Sequence, residues 1–373
     1  MLSCIHRYAQ SVTRPSFRGQ IPSNFEHYER THTLWRRVWM RLKRDMILLM
    51  TGQLFLAKQQ IPASAVKILY VYLGTPQLGD SIMDLSSRVL WQQRGVRVDL
   101  YTHGSIAAFY RNDPSFERVI SDPKELQDRY DFVVLQSYGS KCLKFKWRYF
   151  FCKPFMALHG YYYGCEFNRL EFADAAWHRA LNLPMPEVAN CSPVFNLSFD
   201  HASQARFPRR IAVALGGVVQ ERTYRNWIDV IRLVHQHDAS LEWVLLGSSN
   251  GVEAANSITK AFGGAININN CVDCISLSDV FKHLQVAGLL VASDGGLLHV
   301  GRAAQTPIVA LFAGSIHPRM RFAWTDHAHV IHAPSEVSEI ESSQIAKTII
   351  AHLNQPVQSL TLDYLGLEPN CVG

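Results

Sequence analysis

The chain has 373 residues, 48% of them hydrophobic, with 37 Lys and Arg against 31 Asp and Glu, for a formal net charge of +6. That length exceeds one ordinary core and predicts two domains, while an apolar content near half is ample to build both and excludes a disordered chain. The charge is uneven: residues 1–60 hold ten Lys/Arg against Glu26, Glu29 and Asp45, or +7, which leaves −1 for the rest, so the basicity belongs to the N-terminal segment.

That segment, residues 1–64, reads as a basic amphipathic helical extension. Trp35, Val38, Trp39, Leu42, Met46, Leu49 and Met50 recur at helical spacing, with Leu54 at the edge, while Arg36, Arg37, Arg41, Lys43 and Arg44 crowd the other side. The stripe fits a membrane interface, and it equally fits packing on the protein's own domain or on a second subunit. Its longest apolar run, Met46–Met50, is too short to span a bilayer, and no signal-peptide pattern begins the chain. The expected location is cytoplasmic, peripheral on the inner face of the membrane.

A first α/β domain is expected over 65–195. Strand-like runs at Lys67–Leu73, Val96–Tyr101 and Asp131–Leu135 alternate with helices from Ile82 to Gln93 and near Ile106–Arg111. Lys141–Met156 then interleaves Lys141, Lys144, Lys146, Arg148 and Lys153 with Phe145, Trp147, Tyr149, Phe150 and Phe151. Such a segment suits a sugar–phosphate acceptor, as it would nucleic acid, or it is a plain amphipathic surface. Phe172–Leu183 reads as a helix, and the prolines at 184, 186, 193 and 208 mark an interdomain linker.

The second domain, 205–340, restarts the pattern. Strands are expected at Arg210–Leu215, Trp243–Leu246, Ala265–Ile268, Leu289–Ala292 and Ile308–Phe312, with helices near Trp227, over Gly251–Phe262 and over Leu277–Gln285. Residues 341–373 supply a C-terminal helix, Ser342–Leu353, and a tail. Eight scattered cysteines contain one Cys-x-x-Cys, Cys271-Val272-Asp273-Cys274, with no second close pair, so reduced thiols and no structural metal are expected.

Two strand–turn–helix segments carry the chemistry. In the first, Gly74-Thr75-Pro76-Gln77-Leu78-Gly79-Asp80-Ser81 follows the first strand with the spacing of a phosphate-binding loop. Asp80, however, stands where that loop needs a lysine. A carboxylate there would repel phosphate and is better suited to accept a proton from a substrate hydroxyl; the bland alternative is a helix N-cap. In the second, Ser293-Asp294-Gly295-Gly296 opens a helix between two buried strands, where free N–H groups meet an anion. Asp294, unfavourable beside an anion, either accepts hydrogen bonds from ligand hydroxyls or caps that helix, and His299, one turn in, either faces a ligand or is a buried histidine.

Gly79-Asp80, Arg225-Asn226-Trp227, Asp294-Gly295-Gly296-Leu297-Leu298-His299 and Pro307-Ile308-Val309-Ala310-Leu311-Phe312, in this order and spacing between Val66 and Ile331, resemble glycosyltransferase family 9, the lipopolysaccharide heptosyltransferases. The resemblance implies an α/β fold of the GT-B type: two Rossmann-like domains facing a central cleft, here with an extra N-terminal helical segment. It implies an inverting, metal-independent transfer of heptose from ADP-L-glycero-D-manno-heptose to the inner core of lipopolysaccharide. Asp80 would be the general base. Arg225, where many relatives have Lys, and the helix start at Gly295-Gly296 would meet the charge of departing ADP, with Arg222 close enough in sequence to be the true partner and Thr223 or Tyr224 adjoining it. Gly79, Glu253, Asp294 and His299 complete the donor set, Glu253 against the ribose hydroxyls.

Two departures from the family pattern stand out. Asp294 is followed by Gly where relatives have Ser or Thr, and Phe312-Ala313-Gly314 replaces Phe-Gly-Pro. No Asp-x-Asp occurs, which removes the usual metal-chelating signature of the GT-A class. No cofactor and no nucleic-acid partner are expected; the expected partners are ADP-heptose, the inner-core acceptor and the inner-membrane surface. The alternatives are a transferase for another nucleotide sugar and a non-catalytic nucleotide- or glycan-binding member.

Overall fold

The structure is a computed structural model in which residues 2–10, 12, 32–74, 77–160, 168–185, 193–195, 205–322 and 328–354 are described. It divides into two compact units, Met1–Ser198 and Phe199–Gly373. Each unit holds one all-parallel sheet whose central strands are apolar runs buried on both faces, as crossover helices on both sides require, while the outer strands Arg118–Ile120, Asn267–Asn270 and Ala328–His332 are poorer in apolar residues and partly exposed.

The chain begins with two helices, α1 (Leu2–Gln10) and α2 (Leu34–Met50), and a 3-10 turn at Gln53–Phe55. Thr33 caps α2 by accepting from the Arg36 N–H. α2 is mounted with its polar side inward. Arg37 and Leu48 are its buried residues, and Arg41 and Asp45 engage Tyr8 of α1, whose hydroxyl donates to Asp45 Oδ2 at 2.6 Å. The stripe from Trp35 to Met50 therefore faces away from the unit's own body, so packing on its own domain, one of the expected alternatives, is not what this structure has.

The first sheet takes β1 (Lys67–Tyr72), β2 (Arg97–Thr102), β3 (Arg118–Ile120), β4 (Phe132–Leu135) and β5 (Phe155–Ala157) in the order β3-β2-β1-β4-β5. Between β1 and β2 lie α3 (Leu78–Asp84), a 3-10 turn at Ser86–Val89 and α4 (Leu90–Gln93); α5 (Gly104–Tyr110) follows β2. The helix expected from Ile82 thus starts four residues earlier and breaks in the middle. Arg88 explains the break, since its guanidinium takes the Leu85 carbonyl at 2.7 Å and pairs with buried Asp113 at 2.8 Å. The core on one face of the sheet is aromatic, with Tyr70 edge-on to Trp177 at 5.1 Å and Trp91 against Trp177 at 5.0 Å.

The basic, aromatic stretch becomes α6 (Ser140–Tyr149) and β5. It splits by side, with Cys142, Phe145, Lys146 and Phe150 buried and Lys141, Lys144, Trp147, Arg148 and Tyr149 exposed. Phe145 stacks on Tyr101 at 4.2 Å inside the core, and Lys146, 1% exposed, donates to the Gln53 amide oxygen and to the Phe151 carbonyl at 2.9 Å. Gln53 in turn donates to the Phe151 carbonyl at 3.1 Å. These bonds fasten the turn after α2 to the end of α6. α7 (Arg169–Leu181), capped by Asn168, closes the described helices of the unit.

The second sheet runs β11-β10-β9-β6-β7-β8, from β6 (Phe207–Ala214), β7 (Glu242–Leu246), β8 (Asn267–Asn270), β9 (Ala287–Ser293), β10 (Ile308–Phe312) and β11 (Ala328–His332). Helices α8 (Trp227–His237), α9 (Val252–Phe262), α10 (Leu277–Val286), α11 (Gly296–Ala303) and α12 (Ser342–Asn354) pack around it. Pro208, expected in the linker, is the second residue of β6, where pairing with β9 is irregular between Phe207 and Ile211 and no ladder donor is needed. Of the other linker prolines, Pro186 lies outside the described residues. Ile345, Ala346 and Ile349 of α12 join the core beside Trp227 and Trp243, so this helix is part of the second unit's fold.

Both sheets reverse strand order at one place. In the first unit β2 and β3 lie on one side of β1 and β4 on the other; in the second, β7 and β8 lie on one side of β6 and β9 on the other. Such reversals open a crevice at the carboxyl ends of the two central strands, the position where open α/β sheets bind ligands.

Candidate active site

In the first unit the reversal between β1 and β4 holds Gly74 and α3 beside Gln136. Gly74 has no room for a side chain, because a Cβ would lie 2.6 Å from the Gln136 amide, and its carbonyl meets His103 Nε2 at 3.1 Å. Gly79 is buried in the first turn of α3. Asp80 is the third residue of that helix, and its N-cap is Gln77, so the N-cap alternative for Asp80 is set aside.

Asp80 and Asp84, four apart, share a face of α3, and both turn to Arg169 at the start of α7. Arg169 Nη1 reaches Asp80 Oδ2 at 3.0 Å, while Nε and Nη2 clamp Asp84 at 3.0 and 2.7 Å. Asp84 also accepts from the Tyr72 hydroxyl at 3.0 Å and is fully enclosed. Burial pushes the Asp84 carboxyl up, but the charge and hydrogen bonds of Arg169 outweigh it and hold the group below the usual carboxylate range. His159 next to this cluster is pushed down to about 4, by burial and against the field of Asp84. The result is one half-buried carboxylate, 19% exposed, beyond the carboxyl end of β1, held in direction by a cation that a second, buried carboxylate anchors.

In the second unit the reversal lies between β6 and β9. The loops that follow β6 and β7 are nested: Gly216 has φ +82, and a Cβ there would lie 2.6 Å from Asn250 Oδ1. A Cβ on Gly247 would lie 2.8 Å from the Leu215 carbonyl. Glu253 is exposed in the first turn of α9, beyond this nest.

Asp294 directly follows β9 and is buried. The N-cap of α11 is Gly295, in extended backbone, and no side chain caps the helix, so Asp294 is not the cap. Its carboxylate meets Arg222 Nη1 at 3.2 Å and Arg321 Nε at 3.1 Å. Arg222 follows β6 and Asp294 follows β9, so this pair crosses the reversal point. Arg225 is exposed and three residues further on; the structure brings Arg222, not Arg225, to Asp294. Gly295 is exposed and Gly296 half-buried at the open end of α11, whereas His299 is 2% exposed, the buried alternative of the two.

Tyr224 and Thr223 are occupied structurally. The Tyr224 hydroxyl pairs with Ser342 Oγ at 2.9 Å, and Thr223 donates to the Val219 carbonyl at 3.0 Å. Arg169 and Arg321 were missed from sequence. Each sits far along the chain from its carboxylate, and an isolated arginine carries no local signature. Cys271 is buried and Cys274 exposed, and no group of three or more metal-ligating side chains occurs among the described residues.

Residues 173–349 match the model of Glycosyltransferase family 9 (heptosyltransferase). No curated protein matches the sequence. Among solved structures, the glycosyl transferase family 9 protein of Veillonella parvula DSM 2008 superposes with a TM-score of 0.62 at 13% identity, over 79% of this chain and 99% of that one. E. coli heptosyltransferase WaaC with ADP gives 0.60 at 17% identity, over 77% and 100%. E. coli ADP-heptose lps heptosyltransferase II gives 0.57 at 18% identity, over 77% and 98%. The family that this chain resembles, in its motifs, in the match over residues 173–349 and in a GT-B type of α/β fold, is glycosyltransferase family 9.

Proposed function

We propose that the chain is an inverting glycosyltransferase that moves heptose from ADP-L-glycero-D-manno-heptose to the inner core of lipopolysaccharide without a metal ion. The observation that carries the reading is topological: Gly79-Asp80 and Asp294-Gly295-Gly296, the two motifs singled out by chemistry, fall at the strand-order reversals of their respective sheets. The E. coli heptosyltransferase of this fold was solved with ADP and with ADP-2-deoxy-2-fluoro heptose, which supports an adenine nucleotide sugar as donor.

In this reading Asp80 takes the proton of the acceptor hydroxyl as its oxygen attacks the anomeric carbon. The bond from that carbon to the phosphate oxygen breaks in the same displacement, and ADP leaves with one more negative charge. Arg222 and the N–H groups at the start of α11 receive that charge, so the protein's own dipoles and cations supply what a metal would otherwise do. Arg169 is a positioning residue that aims Asp80, and Glu253 meets the ribose hydroxyls.

Calorimetry with ADP, UDP and GDP tests the donor class, followed by transfer from ADP-heptose to a soluble core acceptor in excess EDTA. Selective ADP binding and EDTA-resistant transfer are expected. Tighter UDP or GDP binding would move the donor class, a strict Mg²⁺ or Mn²⁺ requirement would overturn the metal-free step, and binding without transfer to any core acceptor would leave a binding protein.

A further inference from the structure

Helix α2 is inside out. An amphipathic surface helix ordinarily buries its apolar stripe, but here the buried residues are Arg37 and Leu48, and the stripe of Trp35, Trp39, Leu42, Met46, Leu49 and Met50 is exposed along its whole length. At 100° per residue these six fall within about a third of the helix circumference. Trp35 is 70% exposed and Trp39 61%. The arrangement is held from behind, by Tyr8 against Arg41 and Asp45 and by the bonds among Gln53, Lys146 and Phe151.

The exposed apolar surface does not stop at Met50. Phe55, in the turn that Gln53 anchors, is 74% exposed, and Phe151 and Trp147 are exposed on the far side of the same seam. The border of this surface is cationic. Arg36 and Lys43 flank one edge of the stripe, and Lys141, Lys144 and Arg148 are exposed on α6, whereas the one acidic residue of α2, Asp45, lies toward the other edge and is engaged there by Tyr8 and Arg41. Aromatic rings with an aliphatic row and a cationic rim complement an anionic bilayer surface. A polar rim is common to subunit interfaces as well; what favours the anionic bilayer is the sign of the charge, ten Lys/Arg against three acidic residues over residues 1–60.

We propose that the outward stripe of α2, continued through Phe55 to Phe151 and Trp147, is the surface by which this protein docks on anionic lipid bilayers, lying in the interface plane. The helix is too short in apolar residues to cross, and no described helix is long and apolar enough to do so. Docking rests on this surface and not on the donor chemistry, so the two are tested apart.

The experiment is co-sedimentation of the full chain with phosphatidylethanolamine–phosphatidylglycerol vesicles and with phosphatidylcholine vesicles, at low and high salt, for wild type and for the Trp35→Ser/Trp39→Ser double variant. Wild type should bind the anionic vesicles, weakly the neutral ones, and less in high salt. The double variant should lose about tenfold or more in binding, with its thermal midpoint and ADP affinity unchanged, since both rings touch water in the folded protein. Vesicle binding equal to wild type in the double variant, or no preference for anionic lipid, would overturn the proposal. So would a wild-type dimer that the double variant splits while vesicle binding persists, because a second copy would then be what covers the stripe.

Discussion

Arg169 holds two carboxylates of one helix face, Asp80 at 3.0 Å and Asp84 at 2.7 Å, and the two partners differ in what else they can do. Asp84 is closed in by Tyr72 and Gln136, while Asp80 keeps solvent access beyond the carboxyl end of β1. Asp80→Asn should therefore leave ADP affinity nearly intact and cut turnover by about two to four orders of magnitude, the range for a positioned base. Turnover above about a third of wild type, measured with saturating donor, would remove Asp80 from the chemistry.

Arg169→Met should act through both carboxylates. It strands the buried Asp84 without its cation, at a cost of about 3 kcal/mol read as a drop in thermal midpoint, and it frees Asp80 to rotate. Arg169→Lys restores charge without the fork, so it should recover part of the stability and little of the turnover. Full turnover in a folded Arg169→Met protein would mean that Asp80 needs no aiming.

Arg222→Ala should weaken ADP binding by about tenfold or more, the scale of one charge-assisted contact, and slow transfer with it. Arg225→Ala should leave both near wild type, because its side chain stands in solvent away from Asp294. The reverse result by calorimetry and initial rates would return the phosphate role to Arg225.

Lys146 gives the fold a distinct pH signature. Burial lowers its ammonium to about 8, so between there and its ordinary value of 10.5 the unfolded chain binds the extra proton. Stability should rise with pH through that window, by on the order of 3 kcal/mol at full relief. Above about pH 10 the buried tyrosines oppose it: Tyr110 is pushed up to about 12 and Tyr130 higher still by burial, so the unfolded state loses those protons first. Denaturant midpoints from pH 7 to 9 should climb in wild type and fail to climb in Lys146→Met; nearer pH 10 the thiols of Cys142 and Cys271, pushed up by burial, also oppose the rise.

The motif segments were legible because their signals are local: an apolar run, a glycine turn and a carboxylate lie within a dozen residues. What escaped was of two kinds. β3 and β5 have three residues each, and β11 sets Ala328, Val330 and Ile331 among two histidines with neither a continuous apolar run nor a strict alternation, too little pattern to separate from a loop. Arg169 and Arg321 act over sequence separations of 85 and 27, where only the fold decides the pairing. The stripe of α2 was visible as a period, but its direction was not. Direction is fixed by Gln53, Lys146 and Tyr8, residues that by themselves announce nothing.

The Arg222–Asp294–Arg321 cluster has a consequence for ionic strength. Two guanidiniums face the Asp294 carboxylate, and Glu221 lies 3.8 Å from Arg222, so formal charges cancel across the group. An incoming diphosphate meets directed N–H groups with hardly any surplus field, and raising salt should change donor affinity only slightly. The +7 extension is the opposite case: its charge is unbalanced, so whatever electrostatic pull it exerts acts as long-range field, which counterions erase first.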